Sequence, residues 1–346
     1  MTRKVKVKDE KGNIVEVALN PSIARLVDSS EGRLNDNDGI FFQRQLEAIE
    51  AQTYDVLYPD LEAREVFTTN TFGGAGAQTL TYRSFDKTGR AQAINARATD
   101  LPKSQISGRE YSVAVKSVGV AYDYDIDEIA AAQMGGLPLE SRKAEAARRG
   151  YEEYINSVVW RGDDQAGLKG FFDNTDVLRT NVAANSATNP STKWEDKTPD
   201  EILADLNNAC SVMYEATKKI HKPEEIWMSV GNWNYIFSTP RSPMSDTTIG
   251  EYFVKNNVFG ITREKMKPLN ELENGIQKGT HAGVACFVVV CQRSPEGRET
   301  VRIRETLPLQ FLPPQQHGLV FEIPGRGRFA GLEFTYPRAI QIWYGI

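Results

Sequence analysis

The sequence contains few cysteines and few histidines. Among its 346 residues there are three of each, and the cysteines are Cys210, Cys286 and Cys291. An odd number of cysteines without repeated spacing argues against a disulfide framework and fits a protein made in a reducing compartment. No two histidines stand four residues apart, so no helical metal-binding pair is present. The sequence therefore predicts no metal site, and a cysteine–histidine catalytic pair would rest on composition alone.

Long apolar segments and a strong net charge are also missing. The longest apolar run, Val284 to Cys291, is far shorter than the ~20 residues that span a bilayer, and the first ten residues lack the apolar region of a signal peptide. Basic side chains number 41 against 46 acidic ones. Because a protein that binds nucleic acid with its whole surface is normally basic, any DNA contact must be local. We expect a soluble protein made inside a cell, without a membrane partner.

A dinucleotide-binding motif is present but incomplete. The segment from Gly325 to Ala330 fits G-x-G-x-x-A after an apolar strand, and this fingerprint requires a helix to follow. Leu332, Phe334 and Tyr336 alternate as in a strand instead. We therefore interpret the glycines as a tight turn between strands and predict no cofactor.

A calcium-binding pattern is incomplete in the same way. Asp123, Asp125 and Asp127 alternate like calcium ligands, but an EF-hand loop needs glycine at its sixth place and glutamate at its twelfth. The sequence has Glu128 and Met134 there. Capping of a following helix explains these aspartates better, and we predict no catalytic, cofactor or metal residues anywhere in the chain.

Two hairpins are predicted in the first third of the chain. Valines alternate on both sides of a turn at residues 11–13, and a polar linker at 29–39 leads to a helix that begins near Phe42 with Asp38 as its cap. From residue 65 to 123 the pattern is strand-like with few large apolar side chains, and residues 86–90 are expected to form a polar tip. Because a long hairpin without a core is not stable alone in water, it needs another surface, such as a second copy of the chain.

The rest of the sequence predicts a mixed helix and strand body. Ala147, Tyr151, Ile155 and Val158 recur at helical spacing within a long helix over residues 139–160. A second helix begins at Thr198, with Pro199 at its first position and Glu201 at capping-box spacing. Strands are predicted over residues 226–230, 283–292, 300–305, 319–323 and 332–344.

The order of these elements resembles the major capsid protein of tailed bacteriophages, whose fold is named for the Hong Kong ninety-seven phage and is shared with encapsulins. The resemblance is carried by the run YSVAVKSVGVAYDYDIDEI from Tyr111 to Ile129, the long helix from Leu139 to Trp160, the turn from Gly167 to Phe171, and the terminal strand from Phe334 to Trp343. It spans nearly the whole chain, and within the fold it is most similar to a prophage-type family formerly of unknown function.

The resemblance implies an α+β fold in four parts. These are an N-terminal arm (1–60), an extended loop hairpin (64–120), a peripheral domain with a spine helix (121–222 and 326–346), and an axial domain (223–325). It implies that the extended loop lies over a neighbouring subunit. The residues expected to make that contact are Leu80, Tyr82, Phe85, Lys87 and Arg90, and those expected to form the spine helix face are Ala147, Tyr151, Ile155 and Val158.

The resemblance also implies a structural function without catalysis. Copies of the chain would form pentamers and hexamers that close into an icosahedral virion shell around double-stranded DNA, without sequence specificity and with assembly in the host bacterial cytoplasm. Scaffold and decoration proteins are candidate partners. Two alternatives stay open: an encapsulin-type compartment, which would begin with a cargo-docking helix, and a two-domain enzyme, which would need an unrecognised catalytic centre.

Overall fold

The computed structural model describes the backbone of residues 4–8 and 14–18, and then residues 58–89, 91, 93, 103–135, 139–187, 189–273 and 284–346. Packing divides the chain into two compact units, Met1–Pro59 and Asp60–Ile346. In the first unit, strand β1 (Lys4–Lys8) pairs antiparallel with β2 (Ile14–Ala18), which confirms the predicted hairpin. The helix predicted from Phe42, with Asp38 as its cap, lies outside the described residues.

The second unit contains the remaining elements. Its helices are α1 (Ala63–Val66), α2 (Ile126–Gly135), α3 (Leu139–Arg161), α4 (Pro199–Ala216), α5 (Val230–Ser238) and α6 (Ile249–Asn256). Its strands are β3 (Thr68–Thr71), β4 (Thr79–Thr88), β5 (Gln105–Ala114), β6 (Lys116–Asp125), β7 (Leu178–Asn181), β8 (Glu225–Met228), β9 (Met266–Pro268), β10 (Cys286–Val290), β11 (Val301–Phe311), β12 (Gln315–His317), β13 (Val320–Phe334) and β14 (Ile340–Tyr344). The predicted long hairpin and spine helix are therefore present as β4–β5 and α3.

One sheet has the order β7-β14-β10-β8-β9 and separates two apolar cores. All five residues of β10 are buried, because helices or strands cover both faces of the strand. Cys286, Val288 and Val290 belong to the core that also contains the inner face of α3, whereas Phe287 and Val289 belong to the core under α4 and α6. Residues that alternate along a strand point to opposite faces, so β10 contributes to both cores.

The second sheet has the order β12-β13-β11-β3, and β6 pairs with β13 along ten residue pairs. Helix α3 packs against this sheet through Tyr151, which is buried together with Ile155 and Val158. The predicted boundary between residues 325 and 326 falls inside β13. The four domain names stay predictions.

Helix α4 begins as the sequence predicts. The Thr198 hydroxyl accepts a hydrogen bond from the Glu201 backbone N–H, and the Glu201 carboxylate accepts one from the Thr198 backbone N–H. Helix α5 begins earlier than expected. The strand predicted to reach Val230 ends at Met228, because Ser229 caps the helix with its hydroxyl. The strand predicted over residues 332–344 is interrupted by a helical turn at Pro337–Ala339, since proline removes a backbone donor.

The prediction of a turn at Gly325 is wrong, because this segment lies in the middle of strand β13. The glycines are needed for close packing rather than for a turn. A Cβ atom on Gly325 would lie 2.8 Å from the Phe311 ring, and one on Gly327 would lie 2.7 Å from Tyr151 Cζ. Helix α3 and a neighbouring ring therefore occupy the space that side chains would need at these two positions.

The polar tip predicted at residues 86–90 is also placed differently. Strand β4 continues through Thr88, and Lys87 pairs with Ile106 across the hairpin. These residues are polar because both faces of the distal hairpin are exposed to solvent. The hairpin is therefore longer than the sequence indicated.

We expect Gly327→Ala to lower the free energy of unfolding by about 1–3 kcal/mol, because overpacking forces a side chain or the backbone to move. Tyr151 cannot move freely, since its hydroxyl donates to Glu305 Oε1 at 3.1 Å. Gly119→Ala is the matched control, because a Cβ there would make an ordinary contact at 3.6 Å with the Gly325 carbonyl oxygen. Denaturant unfolding of both variants measures the difference, and equal stability would contradict the packing argument.

Candidate assembly surface

The β4–β5 hairpin carries apolar side chains on both of its faces. Its register pairs Leu80 with Val113 and Tyr82 with Tyr111, so these four residues share one face near the base. The two tyrosine rings stack with centroids 5.1 Å apart. Cross-strand pairs of this kind stabilise the hairpin without a core beneath it.

The opposite face is apolar at the distal end. Phe85 is paired with Gly108 and is 64% exposed, and Ile106, two residues from Gly108 on the same face, is 69% exposed. Lys87 lies directly across from Ile106 on this face. Exposed apolar side chains of this size on an otherwise polar strand are typical of a contact surface. Of the five residues predicted to contact a neighbour, Leu80, Tyr82, Phe85 and Lys87 lie on the hairpin, divided between its faces, and Arg90 lies outside the described residues.

A group of charged side chains connects α1, α3 and β11. Arg64 of α1 makes paired hydrogen bonds to Glu152 of α3, at 2.6 and 3.1 Å, and to Glu305 of β11, at 3.0 and 3.3 Å. Glu305 is buried and also accepts the hydrogen bond from Tyr151. Paired contacts between arginine and carboxylates are geometrically specific, so they hold α1, α3 and β11 in one arrangement.

A second charged group holds the adjoining strands. Arg302 and Arg304 both pair with the buried carboxylate of Glu333, and Arg304 also donates to the Asn70 side chain of β3 at 2.7 Å. Arg328 of β13 donates to the Ala75 carbonyl in the segment that enters the hairpin. The sequence patterns gave no indication of these residues, because they are far apart in the chain and meet only across the sheet.

The predicted face of the spine helix is buried. Ala147, Tyr151, Ile155 and Val158 are at most 7% exposed, and the last three contribute to the core between α3 and the sheets. They hold the subunit together, and the Tyr151 hydroxyl connects this core to the charged group around Arg64. The exposed contact residues and the buried helix residues therefore belong to different parts of the molecule.

A polar cleft of about 630 Å³ lies near β8 and β9. Its buried carboxylate, Glu225, accepts hydrogen bonds from Trp227 Nε1 at 3.0 Å and Lys265 Nζ at 3.1 Å, and it pairs with Lys267. Burial alone would raise the pKa of Glu225. The hydrogen bonds have a larger effect in the opposite direction, so the pKa is lowered to about 2. A carboxylate that stays ionised and fully bonded is suited to a structural role rather than to proton transfer.

The cysteine side chains are not activated as nucleophiles. Cys210, Cys286 and Cys291 are buried and free, and burial raises the pKa of the first two thiols to about 12. Because the thiolate is the reactive form, these thiols are inert at neutral pH. Within the described ranges no cluster of three or more potential metal ligands occurs, and no helix is long and apolar enough to cross a membrane.

Comparison with known proteins identifies a family. The model of the major capsid protein family matches residues 89–346. Among solved structures, the capsid of Myoviridae phage XM1 is similar with a TM-score of 0.71 and 15% identity, covering 89% of this chain and 100% of that one. The capsid of cyanophage P-SCSP1u is similar with a TM-score of 0.53 and 14% identity, covering 94% and 98%. No curated protein matches the sequence.

We expect Arg64→Met to lower the free energy of unfolding by about 3–5 kcal/mol, because it leaves the buried carboxylate of Glu305 without its cation. Arg83→Met is the matched control. Arg83 pairs with Glu110 at 2.6 Å, but both side chains are more than half exposed, and such a pair contributes at most about 1 kcal/mol. Chemical unfolding measures both variants, and a small effect of Arg64→Met would contradict the role assigned to the charged group.

A pH dependence follows from Glu225. Because its pKa is lower in the folded chain than in the unfolded chain, its stabilisation is present above the unfolded pKa and is lost as the pH falls toward about 2. This group alone should lower the free energy of unfolding by roughly 3 kcal/mol between about pH 5 and pH 2. Glu225→Gln should flatten that part of the stability profile, and an unchanged slope would contradict the assignment.

Proposed function

Because the chain belongs to the major capsid protein family, we propose that many copies of it assemble into the closed shell of a tailed-phage virion. The observation that supports this function is the β4–β5 hairpin, which exposes the apolar side chains of Phe85 and Ile106, while Arg328 of β13 holds the segment that enters the hairpin through the Ala75 carbonyl. A projecting element that cannot bury its apolar side chains within one chain gains stability by packing on another. A single contact repeated between different surfaces of identical copies generates closed rings.

The finer organisation is part of the same proposal. The rings are pentamers and hexamers, and the shell is icosahedral and encloses double-stranded DNA without reading its sequence. Assembly takes place in the host bacterial cytoplasm, and scaffold and decoration proteins are candidate partners. The four-part division is retained as proposed, with residues 1–60 as the arm, 64–120 as the extended loop, 121–222 with 326–346 as the peripheral domain and 223–325 as the axial domain.

The alternatives receive less support. An encapsulin-type compartment would carry a cargo-docking helix in its N-terminal region, whereas residues 4–8 and 14–18 form the β1–β2 hairpin. A two-domain enzyme would need an activated catalytic group. In the part of the chain that the structure describes, the candidates are instead buried thiols with raised pKa values and the fully bonded Glu225 carboxylate.

The hairpin is tested by placing charges on its distal apolar face. The double variant Phe85→Glu with Ile106→Glu should fold normally, because both side chains are mostly exposed, but it should not form closed shells. Each lost apolar contact is worth about 1.5–3 kcal/mol, so the loss of both weakens association at each interface by roughly 10²–10⁴-fold. Electron microscopy and sedimentation measure assembly, and thermal unfolding measures the fold.

The matched control is Ser84→Glu with Ser107→Glu, which adds the same charges at exposed positions on the other face of the same strands. We expect the control to assemble. Normal shells from the Phe85 and Ile106 variant would contradict the role of that face. A wild-type chain that stays monomeric under all conditions, with a scaffold protein present, would contradict the proposed function itself.

A further inference from the structure

Within the described residues, strand β6 pairs with another strand along one edge only. Its residues pair with β13 from Asp125 opposite Val320 to Lys116 opposite Phe329, and no other strand in the described ranges pairs with the opposite edge. In an antiparallel strand the backbone groups of alternate residues point to opposite edges. Every second residue of β6 therefore presents backbone groups on the free edge. Lys143 covers one of them, because its Nζ donates to the Asp123 carbonyl at 2.8 Å.

An open edge of ten residues is a template for another strand, and proteins commonly block such edges by distortion, charge or a covering element. The part of β6 that Lys143 leaves free is regular, because its register with β13 is unbroken over all ten pairs. The strand therefore has the geometry that strand addition requires, in which backbone hydrogen bonds supply affinity and alternate side chains supply specificity.

The two faces of β6 define which strand fits. Val118, Val120, Tyr122 and Tyr124 are half-buried on the face that α3 covers. On the other face Asp123 and Asp125 are exposed, and Glu322 lies directly across from Asp123 on β13. An added strand should therefore alternate apolar residues for the first face with cationic residues for the second.

Strand β1 has this pattern. Its sequence is Lys-Val-Lys-Val-Lys, from Lys4 to Lys8. Strand β2 does not, because Glu16 stands at its centre, opposite Lys6 in the hairpin register. Beside Asp123, Glu16 of β2 would place two negative charges together, whereas Lys6 of β1 would place a positive charge next to a negative one. Charge therefore selects β1 of the two strands.

We propose that β1 of a second copy of the chain adds to the free edge of β6. This pairing rests on the proposed function, because it requires copies to lie side by side in a shell. Lys6 lies opposite Asp123, and Val5 and Val7 lie opposite Tyr122 and Tyr124. A slip of one residue would place valines against aspartates, so the pattern specifies which side chains lie on which face. The incoming backbone replaces the single Lys143 contact at Asp123, and β2 stays paired on the far edge of β1.

A symmetric pairing of two β6 strands is the competing arrangement. Centred on Val120, it would place Ser117 of one copy opposite Asp123 of the other, and no cation would then face the aspartates. It would match the apolar face but leave Asp123, Asp125 and Glu322 without charge partners. Charge complementarity therefore favours β1 as the added strand.

A disulfide test distinguishes these arrangements. Lys6→Cys and Asp123→Cys are made in separate chains, which are mixed in equal amounts, assembled and treated with diamide. The two thiols become one disulfide, and diamide accepts the two electrons and two protons. The native cysteines are buried and do not compete. We expect a band at twice the chain mass on a non-reducing gel, which disappears after reduction.

Ser117→Cys is the matched control, because it lies on the same exposed face of β6 but six residues from Asp123, or about 20 Å at ~3.3 Å per residue. It should not cross-link to Lys6→Cys. A Ser117→Cys chain that cross-links to Asp123→Cys instead would establish the symmetric pairing and overturn the proposal. A disulfide that forms within a doubly substituted chain, but not between mixed chains, would overturn it as well.

The outcomes separate this inference from the proposed function. Shells that form normally from the mixed variants without the cross-link overturn the β1–β6 pairing and leave the capsid function intact. Failure of the wild-type chain to assemble at all overturns both.

Discussion

The fold depends on the burial of β10 on both faces. Cys286, Val288 and Val290 complete the core beneath α3, and Phe287 and Val289 complete the core beneath α4. Because neither face of this strand can tolerate a polar residue, its sequence has no hydrophilic alternation. The neighbouring strands β8 and β14 are buried on both faces as well. The sheet therefore joins the two cores, and the apolar area that it removes from water on both sides stabilises their contact.

Charged side chains connect the elements of the body from which the hairpin extends. Arg64 is held between Glu152 and Glu305, and Tyr151 connects the same carboxylate to the core of α3. Burying charges is costly, and it is tolerated here because each charged group has several partners. The result is a body held in one arrangement, whereas the distal apolar side chains of β4 and β5, Phe85 and Ile106, stay exposed. The body of the subunit is stable by itself, whereas its exposed apolar side chains lie outside the cores and its open strand edge has no partner strand within the described residues of the same chain.

Incomplete edges are consistent with assembly rather than with catalysis. The distal hairpin offers apolar side chains, and β6 offers backbone hydrogen-bonding groups with a row of carboxylates beside them. Both features would be liabilities in a protein that works alone, because exposed apolar residues and open strands promote aggregation. The contacts proposed between neighbouring copies would satisfy both features, because each exposed group would then pack or pair with another chain.

The sequence by itself determined the elements with strong local signals. The alternation in both hairpins, the helical spacing of Tyr151, Ile155 and Val158, and the capping box at Thr198 depend only on neighbouring residues. The tertiary structure decided what depends on contacts between distant segments. The glycines at 325 and 327 predicted a turn, but they lie in a strand. Glycine is needed at these positions because Phe311 and Tyr151 approach the backbone too closely for a side chain. The partners of Arg64 likewise come from α3 and β11, and no local pattern brings residues that far apart in sequence together.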